Sequence, residues 1–257
     1  MKRLTILVIT LLFGLKSFAL SLPADSASRQ PMPMTTNIDT LKQLLQITTS
    51  DTVKSAIYTQ LAAQYLNYDN LDSKTKKAYQ AQALTYTYQA LHLYSGMNDT
   101  IGLRTSFDAL ARVYRSQRKY PQAKWFILQS NTLSRAKKDV PNIMASLLVL
   151  ANIKMEIKDY TLAMRDLNEA LTLSKENHYA KDESKVQDGY VLLYTHLKNY
   201  SKADIAAKRR DFINDSLLKG EQRLLAKAQD TLQVKKKVST VSRKATKLNY
   251  TRRIASL

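Results

Sequence analysis

The sequence contains no cysteine, which excludes disulfides, thiolate metal sites and cysteine nucleophiles. Glycine and proline number only five each in 257 residues. Turn-rich β folds need many more of both, so long helices with short joints are expected. The glycines stand at 14, 96, 102, 189 and 220, too scattered to cradle a phosphate. His92, His178 and His196 are isolated, without HExxH or another ligand spacing, and there is no GxSxG, SxxK, Walker or dinucleotide motif. Carboxylates such as Asp159, Asp166 and Glu169 make no better case: Asp166 and Glu169, three apart with Arg165 nearby, read as a charged exterior. Trp125 and the tyrosines, at helical spacing, read as core rather than as stacking platforms. No catalytic residue, cofactor or metal is therefore expected.

What is present begins with Met1 to Ala19. Lys2 and Arg3 precede the apolar run 4–15, and Ser17-Phe18-Ala19 follows, the three parts of a secretory signal cleaved near Ala19. The apolar run falls short of the roughly 20 residues that span a bilayer, and the absence of cysteine excludes a lipoprotein anchor. Residues 20–36, with Pro23, Pro31 and Pro33 among small polar residues, read as a flexible leader. Export to a periplasmic or extracellular location is expected. The formal charge is +19, and from Lys219 onward eleven Lys/Arg stand against two Asp/Glu, an excess of +9. Such an end attracts anionic lipid, acidic protein or nucleic acid; export argues against the last.

The chain repeats itself at forty residues. Ala83, Ala123, Ala163 and Ala203 keep that step, as do Leu93, Leu133, Leu173 and Ile213, and Tyr120, Tyr160 and Tyr200 precede three of the alanines by three residues. A period of this size with helical patterning inside it predicts a solenoid of helical hairpins. A short helix is expected near 38–48, then one carrying Ile57, Leu61 and Tyr65, then one from about 74 to 95. Three further hairpins follow: 101–118 with 121–137, 141–157 with 160–176, and 183–197 with 200–218. Small residues at the crossings let the helix backbones approach and large apolar ones fill the flanks. One hairpin leaves half its apolar surface bare, so neighbours must cover it.

The hairpins resemble tetratricopeptide repeats (TPRs). The second carries Phe107, Leu110, Ala111, Tyr114, Ala123, Ile127 and Ser130; the third carries Leu147, Leu150, Ala151, Lys154, Ala163, Leu167 and Ala170. The first offers Tyr58, Leu61, Ala62, Tyr65, Ala83 and Ala90, with about nine extra residues in its joint. The fourth, with Gln187, Tyr190, Val191, Tyr194, Ala203, Ala207 and Arg210, is degenerate as a terminal repeat should be. The step of forty exceeds the usual thirty-four, which implies longer helices or joints. The resemblance implies an all-α, right-handed α-solenoid of about four hairpins over residues 37–218, with flanking capping helices. It also implies a concave groove, lined by the first helices, that holds a peptide or protein segment. The inward-facing candidates are Thr59 and Ala63; Asp108, Arg112 and Arg115; Leu148, Asn152 and Met155; and Asp188, Leu192 and Thr195.

Beyond Leu218 helical spacing continues. Leu218, Leu225 and Leu232 step by seven, and Val234, Val238, Val241, Ala245 and Leu248 step by four and three. Residues 219–257 read as a basic amphipathic helix and tail with three possible roles: a cap on the last hairpin, a membrane-surface helix, or a pairing helix through which the chain forms a homo-oligomer. The expected function is an exported, non-enzymatic scaffold for a protein or peptide ligand. One alternative is a truncated or stand-alone sensor portion, similar to the periplasmic TPR regions of bacterial signalling proteins. Another is docking to an anionic membrane or envelope polymer through the basic end.

Overall fold

The computed structural model describes residues 37–254, with side chains described through Gln229 and at Thr231. The signal sequence and leader expected over 1–36 lie outside the described residues. Nine α-helices and no strand occur among the described residues: α1 (Ile38–Ile47), α2 (Asp51–Tyr65), α3 (Ser73–Gly96), α4 (Thr100–Ser116), α5 (Tyr120–Ala136), α6 (Val140–Glu156), α7 (Tyr160–Glu176), α8 (Ala180–His196) and α9 (Tyr200–Ile254). The pairs α2/α3, α4/α5, α6/α7 and α8/α9 are the four hairpins, each packed on the next, and α1 packs on α2 as an N-terminal cap. The chain is an all-α, TPR-like solenoid.

The forty-residue step has a local cause. Helices α4 to α8 each have 17 residues, and three-residue joints bring each helical unit to twenty. The middle of each joint from α3/α4 onward adopts the left-handed conformation, at Asn98, Arg118, Lys138, Lys158, His178 and Lys198, spaced twenty apart. The N–H of the following residue then donates back to a carbonyl five residues earlier, Asp99 to Tyr94 (2.9 Å), Lys119 to Tyr114 (2.9 Å) and Asp159 to Lys154 (2.8 Å) among them. This closes the orphan carbonyls of the finished helix. Asp99, Asp139 and Asp159 then cap the next helix by accepting from its first backbone N–H groups. Four of the six left-handed residues are lysine or arginine, a favourable charge at a helix C-terminus. Glycine is therefore dispensable at the joints.

The seam alanines are buried: Ala83, Ala123 and Ala163 are 0% exposed and Ala203 is 8%. Around them lie clusters centred on Tyr65, Tyr68 and Val113, on Leu110, Phe126 and Ile153, and on Leu147, Leu167 and Leu193. Glycine is required where α4 passes closest to α3, since a Cβ at Gly102 would lie 2.2 Å from the Tyr94 ring.

Three expectations are corrected. The extra residues of the first hairpin are shared between its joint and α3, which has 24 residues; Tyr68, buried in that joint, fills the space. Asp166 is not on a charged exterior but buried, bonded to Lys154 Nζ at 2.5 Å. Trp125 is 54% exposed and meets Phe107 and Phe126 edge-on instead of lying in the core. Helix α9 runs unbroken for 55 residues and carries the helical spacing expected beyond Leu218. Leu218, Leu224 and Leu225 cover no apolar face; they are exposed.

Candidate binding groove

The first helices of successive hairpins are unevenly spaced. Helices α6 and α8 pack directly on one another, whereas α4 and α6 stand further apart. A cavity of about 870 Å³ opens in that gap, with Asp108, Arg112 and Arg115 of α4 on one side and Asn142, Ala145, Val149 and Glu156 of α6 on the other. Tyr68 and Asp69 line it from the joint before α3, Arg118 from the joint after α4 and Tyr120 from the start of α5. A second, mostly apolar cavity of about 250 Å³ lies between α2 and α4, lined in part by Thr59, Ala63, Leu66 and Ala109. Asp108 and Arg112 belong to both. The two cavities thus form one groove crossing α2, α4 and α6.

Residues 104, 108, 112 and 115 share one face of α4 by spacing, and their charges are unequally satisfied. Arg104 Nη1 donates to Asp108 Oδ2 at 3.1 Å and across the gap to Asn142 Oδ1 at 2.9 Å. Arg115 donates through Nε and Nη2 to Glu156 Oε1 at 2.9 and 2.6 Å, a second bridge across the gap. Burial raises the Asp108 carboxyl above its ordinary range, while the Ser130 hydroxyl and Arg104 pull it back. A hydrogen bond to the Glu156 carboxylate raises the Tyr120 phenol. Arg112 is held most loosely: its ion pair with Asp69 is 3.6 Å long between exposed side chains, and its guanidinium lies 5.9 Å from the Tyr68 ring centre. A ligand carboxylate could replace Asp69 at modest cost, since an exposed pair is worth about 0–1 kcal/mol, and the guanidinium fork suits a carboxylate.

The expected groove residues divide. Thr59, Ala63, Asp108, Arg112 and Arg115 line the groove. Thr59 also donates to the Ser55 carbonyl or shares a 3.0 Å bond with the Tyr94 hydroxyl. Asn152 is half-buried on α6 and Leu148 packs against the core shared with α7 and α8. Met155 is 2% exposed and belongs to that core, so it cannot meet a surface ligand. On α8, Asp188 pairs with Arg210 (2.9 Å), Leu192 is exposed, and Thr195 donates to the Val191 carbonyl. The forty-residue translation preserves a helix face, but the two walls of a groove are opposite faces of adjacent helices. The α6 wall therefore uses 142, 145, 149 and 156, positions that the repeat alone does not mark.

No protein-family model and no curated protein sequence matches the chain. Solved structures match its fold. The apo form of RapI aligns with a TM-score of 0.59 and 16% identity over 72% of this chain and 64% of that one, so this chain spans less than two thirds of RapI. BtubC (BKLC) from P. vanneervenii aligns at 0.56 with 15% identity over 70% of each chain. Nearly identical TPR-like repeats of a kinesin light chain from Podosopora anserina align at 0.57 with 14% identity, over 71% of this chain and 87% of that one. At these identities the likeness concerns architecture, and the architecture is that of the TPR-like repeat proteins.

Proposed function

We propose that the chain is a non-enzymatic scaffold that holds a segment of another protein, extended or helical, in the groove crossing α2, α4 and α6. It works outside the cytoplasm, after removal of residues 1–19. The observation that carries the reading is the continuity of the two cavities through Asp108 and Arg112. The apolar part, between α2 and α4, suits aliphatic side chains. The polar part supplies Arg112 for a carboxylate and Asn142 for backbone amides.

A photoreactive residue introduced at Arg112 tests the groove, with the same residue at Leu192, outside both cavities, as control. A partner captured at 112 and not at 192 is the expected result. Equal capture at both positions, or none at 112, removes the groove as the binding site. Export has its own test: the mature chain should begin near Leu20 in the extracytoplasmic fraction, and a cytoplasmic chain retaining Met1 to Ala19 would overturn it.

A further inference from the structure

Helix α9 packs on α8 through a stripe that alternates steps of three and four: Ala203, Ala206, Arg210, Ile213 and Leu217. Arginines on and beside this stripe are matched by acids of α8. Arg209 donates to Glu183 at 3.0 and 2.9 Å, and Arg210 donates to Asp188 at 2.9 Å. The α8 partner of Asn214 is Ser184 (2.6 Å), near the start of α8, so α8 is exhausted within about one turn. The stripe is not. The same register continues through Gly220, Leu224, Lys227, Thr231, Val234, Val238, Val241, Ala245 and Leu248, on a backbone that stays helical to Ile254. Exposure follows the loss of the partner: Ala206 and Ile213 are buried, Leu217 is half-buried, and Leu224 is 69% exposed.

A sustained seven-residue register drifts by about 20° per heptad on a straight helix and is kept in contact only by another helix. A flat lipid surface is better served by a broad face rich in Trp, Phe and Leu, and the distal register, Val234, Val238, Val241, Ala245 and Leu248, holds no aromatic residue. The occupant is therefore a helix. Its charge follows from the flanks: from Lys219 onward basic residues outnumber acidic ones eleven to two, and Arg223, Lys237 and Lys244, with Asp230 the exception, fall at heptad positions equivalent to Arg209. In the first part of the stripe Arg209 itself meets Glu183, and Arg210 on the stripe meets Asp188. A second copy, laid parallel in register, would instead set Lys227 against Lys227 and join two strongly basic arms, which like-charge repulsion opposes.

We propose that α9 beyond Leu217 pairs side by side with an acidic amphipathic helix of another protein, which continues the surface that α8 begins. The test uses the full chain and a synthetic heptad peptide with a Leu/Val stripe flanked by glutamates. One control peptide carries lysine flanks, and another keeps the glutamates but has serine on the stripe. Fluorescence anisotropy should show the glutamate peptide binding at least about tenfold tighter than either control, and more weakly as salt is raised. Leu224→Ser should weaken binding severalfold while the solenoid melts as before, and Lys227→Glu should shift preference toward the lysine-flanked peptide. Equal binding of the serine-stripe control would reduce the effect to nonspecific charge and overturn the proposal. So would self-association of the chain lost on Leu224→Ser, or sedimentation with phosphatidylglycerol vesicles without binding to the peptide.

Discussion

The second and third hairpins have the same helix lengths and the same joints, yet one opens a groove toward its successor and the other closes on it. The face that α4 turns to α6 carries Asp108, Arg112 and Arg115; forty residues later α6 has Leu148, Asn152 and Met155. The first set spans the gap with long polar side chains, the Arg115–Glu156 pair among them. In the second set Leu148 and Met155 join a core shared with Val186, Tyr190 and Leu193 of α8. Their interiors differ as well. Tyr114 stacks on Phe126 at 5.4 Å in the second hairpin, and the equivalent positions of the third hold the buried pair Lys154–Asp166. Repetition fixes where the helices run. Substitution at a few positions decides whether neighbours touch.

The largest expected effect breaks the interior half of that comparison. Asp166→Ala leaves Lys154 charged and unpaired in the core and should cost about 3–5 kcal/mol. Burial already raises the Asp166 carboxyl, against the pull of Lys154. Lys154→Tyr with Asp166→Phe transplants the aromatic pair of the second hairpin and should recover most of the loss, because apolar replacement of a buried ion pair is often neutral or stabilising. Urea denaturation of the three proteins checks both. A double variant as weak as the single one would mean that the two interiors are not interchangeable.

Next is the seam. Ala163→Leu forces a large side chain between α6 and α7 and should cost about 1–3 kcal/mol. The same change at Ala203 should cost less, since α9 has neighbours on one side only. Equal melting temperatures for the two variants would contradict this difference between an interior and a terminal hairpin.

The groove half is sharpened by copying the α6 face onto α4. Asp108→Leu with Arg115→Met should cost about 1–3 kcal/mol, since the Arg104–Asp108 pair is only partly exposed, while abolishing capture of a partner at position 112. Retained capture would show that the α4–α6 gap does not depend on these charges.

How much of this was readable beforehand differs by feature. The period placed the helices from α4 to α8 within about three residues, because apolar spacing and seam alanines report helix position directly. The helices of the first hairpin were placed as closely, at 51–65 and 73–96; only the burial of Tyr68 in its long joint follows no periodic rule. Half of the groove was visible: Asp108, Arg112 and Arg115 stand out as polar residues on a repeat face, whereas Ala145 and Val149 resemble any core residue. The continuation of helix beyond Leu218 was legible in the seven-residue spacing, which Gly220 interrupts without ending the helix.

The smallest effect concerns the joints, which the two hairpins share. A non-glycine residue in the left-handed region pays a steric penalty of about 1–2 kcal/mol, and glycine there forfeits about 0.5–1 kcal/mol of unfolded-state entropy. Lys138→Gly should therefore stabilise the chain by about 0.5–1 kcal/mol. Asn98→Gly should gain less, since asparagine already tolerates this conformation. Arg118→Gly should gain as much as Lys138→Gly, but Arg118 also lines the groove and Lys138 does not. Thermal melts should rank Lys138 and Arg118 together above Asn98, while partner capture at position 112 should weaken for Arg118→Gly alone. If both joint variants lower capture equally, the groove is reading joint geometry rather than the guanidinium of Arg118.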